Sequence, residues 1–404
     1  MATSAAVDTG KIAAATGIAA APMHGEVKLR AEGLRTRDGH LLEWFTLLRP
    51  TSRVAVYSRP EPWPRVTLAR VGGASMPEQL SFISPQPKTI PNVRHRRDWW
   101  IQSMRYMPSW SGELPAVIWN PIAGAAMLEQ RAQDVPVVFD LLDDWLVHPA
   151  FVRIAEQVER AYKSLFDRVS VVTANSEATL ALAHRFGRDD AFLLRNGVDP
   201  ERFALSPCAH EQVTVGYGGK LGFRVDVELV CSVAEAFPHV RFEFAGPVLS
   251  KEQARALRRI RNVALLGDVR YDRYPEIMRR WDVAWAPHRL GEFEVGGDLI
   301  KLYEYRAAGL PTVCTRVIGW ERALEGVRAV PRDEVAQALT DLIGGRQAGE
   351  IPREPVALPA ETSWRAKAEF LLERLGMASG FVRDDLDDLG KLSELDEFGE
   401  AARR

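Results

Sequence analysis

The chain has 404 residues, 46% of them apolar and 26% charged, and its 52 Lys and Arg nearly balance 54 Asp and Glu. That length supports two globular domains with cores of their own, and near-neutral charge excludes a global attraction to nucleic acid or membrane. Cys208, Cys231 and Cys314 are odd in number and lack metal-ligand spacing, which argues against a disulfide framework and for a reducing compartment. No run approaches the roughly 20 apolar residues that span a bilayer, so the expected location is the cytoplasm.

Residues 1–23 are rich in Ala, Thr and Ser. The run from Ile12 to Ala21 after Lys11 is too weakly apolar for a signal-peptide core, so the segment is expected to be a disordered leader outside the fold. From about Glu26, strand-like and helix-like segments alternate, the pattern of a parallel sheet covered by helices. Asp38-Gly39-His40 comes just before the helical-looking stretch Leu41–Leu48. Arg94-His95-Arg96-Arg97-Asp98-Trp99-Trp100 sets cations beside aromatics. It suits a phosphate-bearing or lipid-linked acceptor, a membrane surface or nucleic acid, and equally a solvated helix start whose tryptophans pack inward.

Ala116–Trp119, Val135–Phe139 and Val169–Thr173 read as buried strands. Between the last two, Phe151, Ile154, Val158, Ala161, Tyr162 and Leu165 recur at helical spacing, which completes a βαβ unit. Asp140, Asp143 and Asp144 crowd the end of the strand finishing at Phe139. Their mutual repulsion would raise at least one pKa unless a cation or hydroxyl is close, which makes Asp143 and Asp144 candidate catalytic, acceptor-positioning groups. Helix capping is the competing role for such a cluster. Asn196-Gly197 then marks a turn at the end of the first half.

Val213–Gly216, Val240–Ala245, Val263–Leu266, Val283–Ala286 and Thr312–Cys314 give the second half five or six parallel strands, whose carboxyl ends are the usual ligand side. Gly218-Gly219-Lys220 and Arg224 follow the first of them, Gly246 the second, Val269-Arg270-Tyr271 the third and His288 the fourth. Gly296 and Gly297 let backbone approach a ligand, Asp298 is expected to cap a short helix, Lys301 and Glu304 share its face, and Gly309 with Pro311 stops it. Surface cations at Lys220 and Arg224, and a capping role for Glu304, are the plainer alternatives. Ser363 can cap a helix carrying Trp364, Ala368, Leu371, Leu372 and Leu375 on one face.

The run from Gly296 to Pro311 resembles the loop-and-helix signature of retaining glycosyltransferases of the two-domain GT-B fold, in particular the large family four, in which Lys-x-x-Glu-Tyr-x-x-x-Gly-x-Pro recurs. Leu193–Phe203 also resembles the run that precedes that family's second domain, with Arg195 in place of a proline. The resemblance implies an α/β GT-B fold of two Rossmann-like, doubly wound domains facing a cleft. Its parts would be an acceptor domain over 24–203, a nucleotide-sugar domain over 204–360, a helix crossing back over 361–378, and an acidic tail over 379–404.

It also implies roles. Glu304 would bind the donor ribose hydroxyls, and Lys220 and Arg224 would grip the diphosphate. Gly219, Gly246, the backbone of Val269 and Arg270, Gly296, Gly297, Asp298, Lys301 and Gly39 would line the donor, with Arg270 or Tyr271 stacking on the base. Many members carry a further Glu eight residues before the ribose-binding one. That place is Gly296 here, and Glu294 or Asp298 stands nearby.

The implied reaction is transfer of a sugar, with retention, from a nucleoside diphosphate sugar, UDP or GDP foremost, with no separate cofactor and no metal. The acceptor is unread: a metabolite, glycan, lipid carrier, protein or nucleic acid base, with peripheral membrane contact a further expectation and the oligomeric state open. A nucleotide-sugar epimerase and a non-catalytic nucleotide-sugar-binding scaffold are the rival readings.

Overall fold

The computed structural model describes residues 17–86, 106–129, 131, 135–208, 212–291, 294, 296–317, 325–355 and 357–377. The basic-aromatic run 94–100 and the tail 379–404 lie outside these residues.

The first domain opens with β1 (Gly17–Ala21), α1 (Glu26–Glu32), α2 (Arg37–Leu48), β2 (Arg53–Tyr57), α3 (Trp63–Gly72) and β3 (Leu80–Ile83). It continues with β4 (Ala116–Ile118), α4 (Pro121–Leu128), β5 (Val137–Leu141), α5 (Ala155–Arg168), β6 (Val171–Ala174), α6 (Glu177–Arg185) and β7 (Phe192–Leu193). The seven strands pair in the order β3-β2-β1-β4-β5-β6-β7, every pairing parallel. The second domain runs β8 (Thr214–Gly218), α7 (Val227–Ala236), β9 (Arg241–Ala245), α8 (Lys251–Leu257), β10 (Val263–Gly267), α9 (Tyr274–Met278), β11 (Val283–Ala286), α10 (Ile300–Ala307), β12 (Thr312–Thr315), β13 (Val327–Val330) and α11 (Val335–Gln347). Its sheet is β10-β9-β8-β11-β12-β13, again parallel throughout. The strand order reverses beside β1 in one sheet and beside β8 in the other, so the loops after these two strands open at switch points.

One expectation fails at the start. Gly17–Ala21 is no leader but the central strand of the first sheet, buried along its whole length. Ala20 pairs with Val56 on one side and Val117 on the other. A strand flanked on both sides has its backbone groups satisfied by the ladders, and its short side chains are covered by neighbours, so it needs no strongly apolar sequence of its own.

The last helix, α12 (Trp364–Arg374), follows the second domain in sequence but packs into the first. Its Trp364, Ala368, Leu371 and Leu372 share one core with Leu41, Leu42 and Phe45 of α2 and with Ile18, Val54 and Val56 of the sheet. Ser363 caps it, accepting from the Ala366 amide at 3.1 Å, and Gly376 at φ +72° ends it. The linker between the domains lies against this helix start. A Cβ on Gly197 would stand 2.8 Å from the Thr362 carbonyl oxygen and 2.9 Å from the Trp364 nitrogen, so only glycine fits. Among the described residues no helix is long and apolar enough to cross a membrane.

Candidate functional site

The loops after β8 and β9 are pressed together by glycines. Gly219, at φ +138°, donates its amide to the Ala245 carbonyl at 2.8 Å, and a Cβ on Gly246 would lie 1.9 Å from the Gly219 carbonyl oxygen. This close approach turns the chain so that Lys220 and Arg224 face the first domain. The Lys220 ammonium sits 2.8 Å from the Glu32 carboxylate of α1, and Arg224 donates to Asp143 after β5 at 2.9 Å. Arg35, between α1 and α2, reaches the opposite way, to the Val269 carbonyl at 2.8 Å and the Asp268 carboxylate at 2.9 Å. Three basic side chains thus span the cleft at the loops singled out for the donor.

Beneath them lies α10. Lys301 Nζ is 3.3 Å from His288 Nε2 and 3.4 Å from the Tyr217 hydroxyl, with the ammonium 4.8 Å from the Tyr217 ring centre. Burial, aided by the Arg224 charge, brings the Lys301 pKa down to about 7. Burial and the neighbouring cations likewise hold His288 neutral, so its Nε2 can accept. One turn along, buried Glu304 accepts from the Tyr271 hydroxyl at 3.0 Å. Burial pushes its carboxyl up to about 7, against the opposing pull of Tyr271 and Lys301. A carboxylate kept partly desolvated with lone pairs to spare suits a ligand that brings hydroxyl donors.

Other candidate residues fall elsewhere. Asp298 does not cap α10, which begins after Leu299 without a side-chain cap. Its buried carboxylate accepts instead from the Asn196 amide at 2.8 Å and the Tyr303 hydroxyl at 2.7 Å, pinning the interdomain linker to α10. Those donors are buried and fixed, so they outcompete the helix amides. Gly39 is not in a loop: it lies inside α2, where a Cβ would meet the Leu34 carbonyl oxygen at 2.6 Å. It is a packing glycine. Tyr271 is buried and turned under Glu304, so it presents no free face for a base, whereas Arg270 pairs with Asp272 at 2.9 Å in the plane of its guanidinium and stays about half exposed. Gly296 and Gly297 do line the cleft. The Gly296 carbonyl accepts from Ser176, and a Cβ on Gly297 would lie 2.4 Å from Asp143 Oδ1.

The aspartate cluster separates into three roles. Asp140 is held by Arg37 through two bonds of 2.8 and 2.9 Å, by Trp119 at 2.6 Å and by Thr173 at 2.7 Å, all buried. Asp144 pairs with Arg185 at 2.7 Å and accepts from the Leu146 amide at 2.8 Å, which makes it a turn-fixing group. Only Asp143 reaches the second domain. The anticipated mutual repulsion is met by a separate arginine on each carboxylate.

Sequence reading missed Glu32, Lys28 and Arg35, which nothing marks as functional until α1 is folded against the β8 loop. It also missed His24, which follows β1 and lies 3.8 Å from Asp38. For a cation, His40, Glu43 and Asp199 bring ligand-type atoms within 4.8 Å of one another near the hinge. Arg202 already pairs there with Glu43 at 2.8 Å and Asp199 at 3.1 Å.

Comparison with known proteins is consistent with this geometry. Residues 215–344, the heart of the second domain, match the family model described as glycosyl transferases group 1. Over 220 residues, half of this chain is 23% identical to 55% of TuaH of Bacillus subtilis, a candidate teichuronic acid biosynthesis glycosyltransferase; the chain thus spans about half the length of that curated relative. Among solved structures, sucrose-phosphate synthase from Thermosynechococcus elongatus superposes with a TM-score of 0.63 at 13% identity, covering 94% of this chain and 98% of that one. HepE from Anabaena, solved with UDP and glucose, gives 0.55 at 17% identity over 94% of this chain and 98% of that one.

Proposed function

We propose that the chain is a group 1 glycosyltransferase of GT-B fold that transfers a sugar, with retention, from a nucleoside diphosphate sugar to an acceptor hydroxyl held by the first domain. The observation that carries this reading is the convergence of Lys220, Arg224, Lys301 and Glu304 at the carboxyl ends of the second sheet, facing the first domain. Three cations are the complement of a diphosphate, and a buried carboxylate that can accept hydrogen bonds from two hydroxyls is the complement of a ribose.

In this reading the bond from the sugar's anomeric carbon to the diphosphate oxygen breaks as the acceptor oxygen bonds to the same carbon. The acceptor's proton passes to the departing phosphate. Lys220, Arg224 and Lys301 stabilise the charge that builds on that phosphate, and closure against the first domain excludes water. To admit the donor, Glu32 and Asp143 must release Lys220 and Arg224. Asp143, set free at the cleft, then lies where an acceptor hydroxyl would be oriented. The backbone of Val269 and Arg270 meets the base. UDP is the first nucleotide to try, since the similar HepE structure holds it.

The test is incubation with UDP-, GDP-, dTDP- and ADP-sugars, alone and with acceptor mixtures, followed by detection of released nucleoside diphosphate and of product by NMR. One donor should be consumed with acceptor-dependent release, and the product anomer should match the donor. Conversion of donor into an isomer without release would contradict the proposal, and an inverted anomer would overturn its stereochemistry.

A further inference from the structure

We propose that α3 is an interfacial helix by which the first domain rests on an anionic bilayer surface. The inference stands apart from the donor site. Of the ten residues of α3, only Val66 is buried. Trp63 is 54% exposed, Leu68 73% and Val71 84%. At about 100° per residue, Trp63, Thr67 and Val71 form one row and Pro64, Leu68 and Val71 the row beside it, so the apolar side chains make a single outward strip.

Charge frames that strip. The only charged residues of the helix, Arg65 and Arg70, fall on its opposite margins, and the helix has no acid. Arg70 also ties the helix down, donating to buried Glu26 of α1 at 2.7 and 2.9 Å. The ridge is therefore held in place with its apolar side outward.

A convex strip of Trp, Leu and Val between two arginines matches a bilayer boundary. Leu68 and Val71 enter the acyl region, the Trp63 indole sits at the headgroup level, and Arg65 meets lipid phosphate. A ridge, unlike a groove, offers no concave seat for a protein segment, and the Arg65 charge at its margin, on a helix without acids, favours an anionic surface.

The experiment is co-sedimentation of the full chain at low salt with vesicles of phosphatidylcholine alone or with about one third phosphatidylglycerol. The expected result is binding to the anionic vesicles, weak binding to the neutral ones, and a loss of roughly tenfold or more in partitioning for Leu68→Glu/Val71→Glu. Arg65→Glu should lower the anionic preference while leaving the circular dichroism spectrum unchanged. Both sites are exposed, so the variants should fold, which the same spectrum checks. Absence of vesicle binding would overturn the proposal. So would binding that the double variant leaves intact, or self-association that the double variant abolishes, which would make the strip an interface between copies of this chain.

Discussion

The Lys220 ammonium lies 2.8 Å from the Glu32 carboxylate across the cleft, so the cation assigned to the donor phosphate is already held by an acid of the opposite domain. Burial tends to raise the Glu32 pKa, but Lys28, Lys220 and Arg35 together keep it below the usual carboxylate range, and at neutral pH it is an anion. A diphosphate entering here must take the cation from it. Glu32→Gln is therefore expected to tighten donor binding by roughly fivefold, the value of a partly exposed ion pair of about 1 kcal/mol. Titration calorimetry reads this directly, and weaker binding by the variant would count against competition for Lys220.

The pH dependence of donor binding follows from two buried groups. Glu304 accepts hydroxyls only as a carboxylate, and with its pKa pushed up to about 7 it is lost as an acceptor as pH falls below that value. Lys301 attracts phosphate only as an ammonium, and with its pKa brought down to about 7 it loses charge as pH rises above it. Affinity should peak near neutrality and decline on both sides, by up to about tenfold per pH unit on each limb. Glu304→Gln should flatten the acid limb and Lys301→Met the alkaline one. A profile without an acid limb in the unmodified protein would contradict the role of Glu304.

Tyr271 supplies the hydrogen bond that favours the charged form of Glu304. In Tyr271→Phe the carboxyl loses that donor, its pKa rises further, and the acid limb should move to higher pH while binding at alkaline pH changes little. An unshifted limb would show that the hydroxyl does not tune the carboxylate.

Asp140 and Asp143 should separate cleanly in stability measurements. Asp140→Asn leaves Arg37 buried without its bidentate partner and should cost about 3–5 kcal/mol, read as a lowered urea midpoint. Asp143 pairs with Arg224 at the cleft, where both side chains reach solvent, so Asp143→Asn should cost less than about 1 kcal/mol. Its effect should appear in acceptor turnover instead. Equal destabilisation by both would mean that Asp143 is also a structural group.

The second domain was the more legible half. Its strands are apolar runs ended by glycines, and the spacing of Lys301, Glu304, Gly309 and Pro311 put two candidate site side chains on one helical face before any fold was known. Only β13 escaped, because Val327–Val330 is a half-exposed edge strand with little apolar character. In the first domain the expected strands over 116–119, 135–139 and 169–173 and the helix between the last two did form, while its opening was opaque for physical reasons. The strand β1 is made of small residues that a flanked, covered position tolerates, and so it looked like an unstructured leader. Gly39 looked like loop punctuation, although the close approach of Leu34 to α2 is what requires it. Glu32, Lys28 and Arg35 act through contacts with loops about 190 to 240 residues away in the chain, which no local pattern encodes. The three aspartates after β5 were rightly noticed, yet which one faces the cleft depends on which arginine each meets.

The most direct test of the account is calorimetric titration of nucleoside diphosphate sugars into the unmodified chain and into Glu304→Ala. One clear binder is expected, its affinity falling by about 1–3 kcal/mol in the folded variant, roughly five- to a hundredfold. Equal affinity in the two proteins, or no binding across the panel by a folded chain, would contradict it.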